Sequence, residues 1–334
     1  MNSYKDKKIL ITGGTGTIGY HLTKRLLAEH PKVIRIFSRD EYKQFEMAQE
    51  FQEHLPQLRF LIGDVRDQQR LVRAMEGIDY VFHCAAMKHV PACEYNPFEA
   101  VQTNVVGTQN VIQAAVANEV SKVLFTSTDK AISPTNTYGA TKLTAERLIS
   151  AAEYQKGPRT TTFSSVRFGN VMGSRGSVIP LFKKQILEQG MITVTDPDML
   201  RYMMTPAQAI ELILKANEMA SGGEVFVLKM PVVRLGDLAD VVIKMVQKKY
   251  QIDDKVELRV IGIRPGEKRF EELMTSDEQA LVTESKEMYI IPSIFADSHD
   301  YSHENSTLNY RIDLESSIIA PSTLEHWLLT EKLV

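Results

Sequence analysis

Cysteine and tryptophan are the scarcest residues of this chain, two of the first and one of the second in 334. Cys84 and Cys93 are too few for a disulfide framework, and their spacing matches no zinc cluster. Reduced thiols, a cytoplasmic setting and no bound metal are therefore expected. An excess of positive charge is missing too: 39 Lys and Arg face 42 Asp and Glu, for a formal net charge of -3. Such a chain has no broad basic surface to neutralise phosphates, so nucleic acid is not expected as a partner. No apolar run approaches the ~18 residues of a membrane span. The stretch from Met1 to Lys8 is polar and charged where a secretory signal would have its apolar core. Neither an internal repeat nor a low-complexity tract is present.

What the chain does have is alternation. With 43% hydrophobic residues it can bury one large core or two ordinary ones. Short apolar runs predict strands at Lys8–Thr12, Val33–Ser38, Leu58–Ile62, Tyr80–Cys84, Lys122–Ser127 and Thr161–Arg167. Amphipathic stretches between them predict helices at Thr17–Ala28, Lys43–His54, Asp67–Met75, Pro97–Ala117 and Tyr138–Glu153. Beyond Gly169 the alternation decays into helical stretches at Ile179–Gly190, Thr205–Met219 and Leu235–Tyr250, with a strand-like Glu224–Leu228. The polar stretch from Asp297 to Ser306 reads as a loop or closing arm. His299 and His303 within it have metal-like spacing only if helical, and a solvated pair is the better reading; Tyr301 and Ser302 would belong to the same tail.

The first strand runs straight into ITGGTGTIG, and a helix follows. Gly13, Gly16 and Gly19 are spaced so that the backbone turns tightly, approaches a pyrophosphate and packs helix on strand; Thr15, Thr17 and Ile18 share the turn. A Rossmann-like, doubly wound parallel sheet is the expected α/β fold, with residues 1–170 binding a dinucleotide. Residues 171–334 then form a smaller, mixed, mainly substrate-binding domain, part of 224–260 returning to the sheet. The second strand ends in FSRD. Ser38 and Arg39 stand where an NAD site has a carboxylate, and a hydroxyl with a guanidinium suits the 2′-phosphate of NADP, although Asp40 is close enough to reach a ribose. Asp64, with Val65 beside it, either hydrogen-bonds the adenine amino group or caps a turn.

At the C-terminal end of the fifth strand come Thr128, Asp129 and Lys130, where open parallel sheets place their crevice. Tyr138 and Lys142, four apart on the next helix, share one face. An ammonium near the phenol is expected to lower its pKa from ~10 towards working pH and make Tyr138 a base, while Lys142 bonds the nicotinamide ribose.

These motifs resemble the extended short-chain dehydrogenase/reductase family. More narrowly, FSRDE, GDVRD, AAMKHVP, STDKA, GNVMGSRGSVIP and GIRPGEK are similar to UDP-N-acetylglucosamine 4,6-dehydratases, both those that invert C5 and those that retain it. The likeness spans about Lys8 to Lys268. It implies a UDP-sugar substrate, a homo-oligomer, and a redox-neutral reaction. Tyr138 would take the O4 proton as C4 gives up its hydride, Thr128 would bond O4, Lys130 would remove the C5 proton, and a protonated Asp129 would donate to the departing C6 hydroxyl. The same likeness adds Ala85, Ala86, Lys88 and Asn104 to the cofactor set. It places Lys88, Asn170, Arg175, Ser177, Val178, Thr195, Arg201, Arg264 and Glu267 on the substrate, with Arg264 on the diphosphate and Glu267 on the uridine ribose. Two departures bear on substrate choice: LRYMMT has Met where some relatives have Trp, and Arg269-Phe270 replaces a frequent Leu-His. A nucleotide-sugar 4-epimerase shares the Tyr and Lys but needs no Asp129–Lys130 pair, and a non-catalytic NADP sensor needs neither.

Overall fold

The computed structural model describes residues 3–293, 295 and 317–334; Asp297–Ser306, and with it His299, Tyr301, Ser302 and His303, lies outside them. In the first half, β1 (Lys8–Thr12), β2 (Val33–Ser38), β3 (Leu58–Ile62), β4 (Tyr80–His83), β5 (Lys122–Thr126) and β6 (Thr162–Arg167) run parallel in the order β3-β2-β1-β4-β5-β6. They alternate with α1 (Thr17–Leu27), α2 (Glu41–Glu50), α3 (Gln68–Met75), α4 (Val90–Tyr95), α5 (Pro97–Val101), α6 (Gly107–Ala117) and α7 (Thr137–Gln155). The second half contributes β7 (Asn170–Val171), α8 (Val178–Gln189), β8 (Met191–Val194), β9 (Leu200–Met204), α9 (Pro206–Met219), β10 (Val225–Leu228) and β11 (Val232–Arg234). After these come α10 (Leu235–Tyr250), β12 (Glu257–Val260), α11 (Ser276–Leu281), β13 (Thr283–Glu284), β14 (Met288–Ile291) and α12 (Pro321–Thr330).

Period-two alternation explains the layering. Leu10 faces α3 and α6 with Val81, Val123 and Phe163, whereas Ile9 and Ile11 join Phe82, Leu124 and residues of α1 and α9 on the other face. Strands covered on both faces read as continuous apolar runs, which is why they are visible in the sequence. β10 pairs parallel to β6, and β14 and β13 continue the sheet antiparallel. A second core, built from α8, α10, α12 and β8, surrounds Phe182, Ile192, Leu238 and Leu324.

The differences from expectation are local. The helix expected over Pro97–Ala117 is broken by a π-type turn at Gln102–Val106, because Asn104 turns inward there to bond a neighbouring loop; such bulges often sit beside sites. The helix expected over Lys43–His54 starts earlier, capped by Asp40, and gives way to a 3₁₀ turn, Gln52–Gln57, that contains Pro56. α4 has no helical apolar period and is absent from the sequence reading. So are β7, β8, β9 and β11 to β14, strands of two to five residues whose pairing partners are distant in the chain.

Candidate active site

The turn from β1 to α1 is shaped to receive phosphate. Gly13 has φ +66°, and a Cβ there would lie 2.8 Å from the Ala85 backbone. Its N–H donates to Phe37 O (2.8 Å) and its carbonyl accepts from Gly16 N (2.8 Å). α1 has no acid in its first turn, so its N-terminal amides keep their positive end free for an anion. Thr15 is buried in this turn, and Ile18 packs against the core.

At the end of β2, the Ser38 hydroxyl accepts from Gln44 Nε2 (2.9 Å). Asp40 caps α2, accepting from Lys43 N (3.0 Å) and pairing with the Lys43 ammonium, so the carboxylate that would have competed for a ribose is otherwise engaged. Arg39 is left as an exposed cation, 3.6 Å from Asp64. Asp64 accepts from Arg66 N (2.9 Å) and from its guanidinium (2.8 Å), which is the turn-capping alternative, now seen. Val65 is buried, its carbonyl held by Asn110 Nδ2 (3.0 Å). Ala85 N reaches Thr12 Oγ1 at 3.4 Å, and Ala86 is half-buried on the same loop.

Three more of the expected residues have protein partners. Asn104 spends its amide on Met87, accepting from its N–H (2.8 Å) and donating to its carbonyl (2.9 Å), and on Thr141 Oγ1 (3.0 Å); it shapes the loop after β4. Arg175 does not line the substrate cavity. Its N–H donates to Thr17 Oγ1 (3.3 Å) and its guanidinium to the Thr15 carbonyl, so the loop between β7 and α8 lies on the glycine turn. Lys88 is on the surface within electrostatic reach of Arg175, and partial desolvation together with that guanidinium lowers its pKa.

The catalytic candidates converge. Thr128 Oγ1 donates to Asp129 Oδ1 (3.0 Å), and Thr128 is near enough to the Tyr138 phenol to favour its charged form. Lys130 Nζ donates to the same Asp129 oxygen (2.9 Å) and lies 3.8 Å from Glu271 Oε1. Asp129 is fully buried, and its Oδ2 has no partner among the described residues. Gly139 allows this approach, because a Cβ there would sit 2.1 Å from the Lys130 carbonyl; Asn136 caps α7 by accepting from Gly139 N (2.9 Å).

The expected acidification of Tyr138 is corrected. Burial pushes its phenol up to about 12, and the ammonium that opposes this is Lys130, because Lys142 points to the other side. Its Nζ donates to the Thr126 carbonyl (2.6 Å) and sits 3.9 Å from the centre of the Phe125 ring, and desolvation lowers its pKa to about 7. Lys130 is raised: desolvation works against its charge, but Asp129 and Glu271 outweigh it.

A cavity of about 310 Å³ opens beside this cluster, lined by Lys130, Asn170, Ser177, Val178, Thr195, Arg201, Arg264, Glu267 and Glu271 among others. Most expected substrate residues thus share one wall. Ser177, at the start of α8, has a buried hydroxyl without a partner among the described residues. Thr195 Oγ1 faces Met199 Sδ (3.8 Å). Arg201 is a buckle as well as a lining residue: it donates to the carbonyls of Leu200 (2.8 Å), Arg269 (2.8 Å) and Lys268 (2.7 Å) and lies 3.5 Å from Glu267. Glu267 closes its own turn by accepting from Arg264 N (3.3 Å). Sequence reasoning missed Asn136 and Glu271. Phe270 just before Glu271 and Leu273 two residues after it, directly after PGEK, were the available signal.

Residues 9–293 match the profile of the polysaccharide biosynthesis protein family. The chain belongs to this family. The resemblance to extended short-chain dehydrogenases/reductases and UDP-N-acetylglucosamine 4,6-dehydratases is borne out by its relatives. It is 45% identical over 304 residues to a UDP-N-acetylglucosamine 4,6-dehydratase (inverting) of Campylobacter jejuni, covering 90% of this chain and 87% of that one. It is also 43% identical over 293 residues to a UDP-glucose 4-epimerase of Rickettsia conorii, covering 86% and 84%. Among solved structures, Pen from Bacillus thuringiensis superposes with a TM-score of 0.93 at 54% identity, covering 99% of both chains. Within the family fold, no helix of the described residues is long and apolar enough to cross a membrane, and no group of three or more His, Cys, Asp or Glu among them could hold a metal ion.

Proposed function

We propose that this chain is an NADP-dependent nucleotide-sugar 4,6-dehydratase acting on UDP-N-acetylglucosamine or a close UDP-sugar. The observation that carries the reading is the contact of an acid and a base candidate, Asp129 and Lys130, on one oxygen at 2.9 Å, with the Tyr138 phenol within electrostatic reach of both. An epimerase, which only oxidises and re-reduces C4, has no use for that pair. The Campylobacter relative supports the substrate class. The exposed Arg39 guanidinium and the engaged Asp40 favour NADP over NAD.

Bound nicotinamide would accept a hydride from sugar C4 and give it back at C6. Tyr138 takes the O4 proton as the phenolate, the form that burial disfavours and the Lys130 ammonium favours. The new ketone acidifies C5. In the resting pair the proton sits on Lys130; moving it across to Asp129 yields a neutral amine and a carboxylic acid, the forms needed to take the C5 proton and protonate the C6 hydroxyl. After elimination the pair is again ammonium and carboxylate. Lys130 returns its proton to C5, and the proton that Tyr138 took from O4 resets Asp129 as the acid. Ser177, the N-terminus of α8 and Arg264 fit a diphosphate beside the cavity.

The test is NMR of purified protein with NADP and UDP-N-acetylglucosamine in deuterated water. A 4-keto-6-deoxy product is expected, with the C5 signal reporting retention or inversion. Lys130→Ala should slow its formation by about 10²–10⁴-fold while C4 oxidation persists. A C4 epimer without water loss would establish the epimerase reading in its place.

A further inference from the structure

Glu271 is a buried carboxylate with no assigned role. It is 6% exposed, lines the cavity, and its Oε2 has no hydrogen-bond partner among the described residues. Its other oxygen lies 3.8 Å from Lys130 Nζ, opposite the 2.9 Å contact with Asp129. One ammonium therefore has two desolvated carboxyl groups within 4 Å. Buried carboxylates are seldom left with an empty oxygen unless the site uses them.

We propose that Glu271 is a positioning residue for Lys130, holding the ammonium between itself and Asp129 and setting how readily Lys130 gives up its proton before the C5 step. This rests on the dehydratase reading for its catalytic meaning, though its geometry does not. The charged groups facing Glu271 are Lys130 and Asp129 at the end of β5, Arg201 on β9, and Lys268 on its own loop. Burial and Asp129 raise the Glu271 pKa, while Lys130, Arg201 and Lys268 oppose them. For Lys130 the sign is opposite: its two carboxylates hold the proton on. Proton exchange inside the cluster is balanced, since whatever leaves Lys130 is taken by Asp129 or Glu271 and no external acid or base is required.

The arrangement is imposed from outside the cluster. The Leu273 carbonyl and the Glu278 carboxylate both bond Arg167, at 2.8 Å and 2.9 Å. These bonds dock the 271–278 segment on β6 and keep Glu271 in the wall.

The experiment titrates Lys130 in the full-length protein through its reactivity with acetic anhydride across pH, read by peptide mass spectrometry. Wild type is compared with Glu271→Gln and Glu271→Asp. Loss of the neighbouring carboxylate is expected to lower the midpoint by about one pH unit in Glu271→Gln, and Glu271→Asp, one methylene shorter, should shift it less in the same direction. An unmoved midpoint in either folded variant overturns the proposal. No turnover is needed for this readout, so it fails separately from the dehydratase reading, which wild-type product formation decides. If wild type does dehydrate the sugar, Glu271→Gln should change kcat with KM little changed. A lower kcat with an unmoved Lys130 midpoint would mark a merely structural role and also overturn the proposal.

Discussion

Lys142 shows how a single residue can be placed at a cost to the fold. Its pKa falls from 10.5 to about 7 because burial disfavours the ammonium. The unfolded chain therefore binds more protons between those values, and the folded state is penalised most at low pH. The penalty is complete below about 7 and fades as pH rises towards 10.5. Lys142→Met, which keeps an unbranched stem over Phe125, should raise the melting temperature near pH 6, with the gain shrinking steadily above pH 7 and turnover lost throughout. Differential scanning fluorimetry over a pH series checks this; a gain independent of pH would mean that the ammonium is already solvated. Tyr138 and Lys142 are legible as a pair from their spacing, but which ammonium serves the phenol is not. Helical periodicity puts Lys142 on the right face, whereas the end of β5 puts Lys130 nearer.

Among the elements, β6, α7 and α11 meet at one ion cluster. Arg167 is fully buried and bonds Glu146 (2.6 Å), Glu278 (2.9 Å) and the Leu273 carbonyl (2.8 Å). Burial alone would raise the Glu278 pKa, but the Arg167 bonds outweigh it and hold it low. Its contribution to stability is thus present at neutral pH and lost as pH falls through that depressed value. Arg167→Met would leave buried Glu146 without its cation and Glu278 with only the more distant Arg147, 4.0 Å away, and a loss of about 3–5 kcal/mol is expected. Urea unfolding at neutral pH measures it. Combining Arg167→Met with Glu146→Leu and Glu278→Leu should recover most of the loss, which would assign it to unpaired charge instead of lost volume. Nothing in the sequence signals this cluster, since its members lie 21 and 111 residues apart.

For the whole molecule, the face to examine is the one formed by α4 and α5. Tyr95 and Phe98 are 89% and 68% exposed there, while the inner faces of α6 and α7 are occupied by the sheet. A homo-oligomer that covers these aromatics is expected. Sedimentation should give a species of at least twice 37.7 kDa, and Phe98→Glu should shift it towards the monomer. A monomeric wild type would end the expectation.

Periodicity and turn chemistry are local properties, so the amino-acid order alone was enough to specify the parallel strands, the glycine turn, and the candidates Thr128, Asp129, Lys130, Tyr138 and Lys142. They are carried by residues within one strand-turn-helix unit, where chain connectivity dictates what can be near what. Only the folded chain decided that Glu271 and Asn136 join the cavity wall, that Arg175 reaches the glycine turn, and that burial raises Tyr138. Those facts depend on non-local packing, and desolvation is a property of all that surrounds a group in space, which no window of sequence contains.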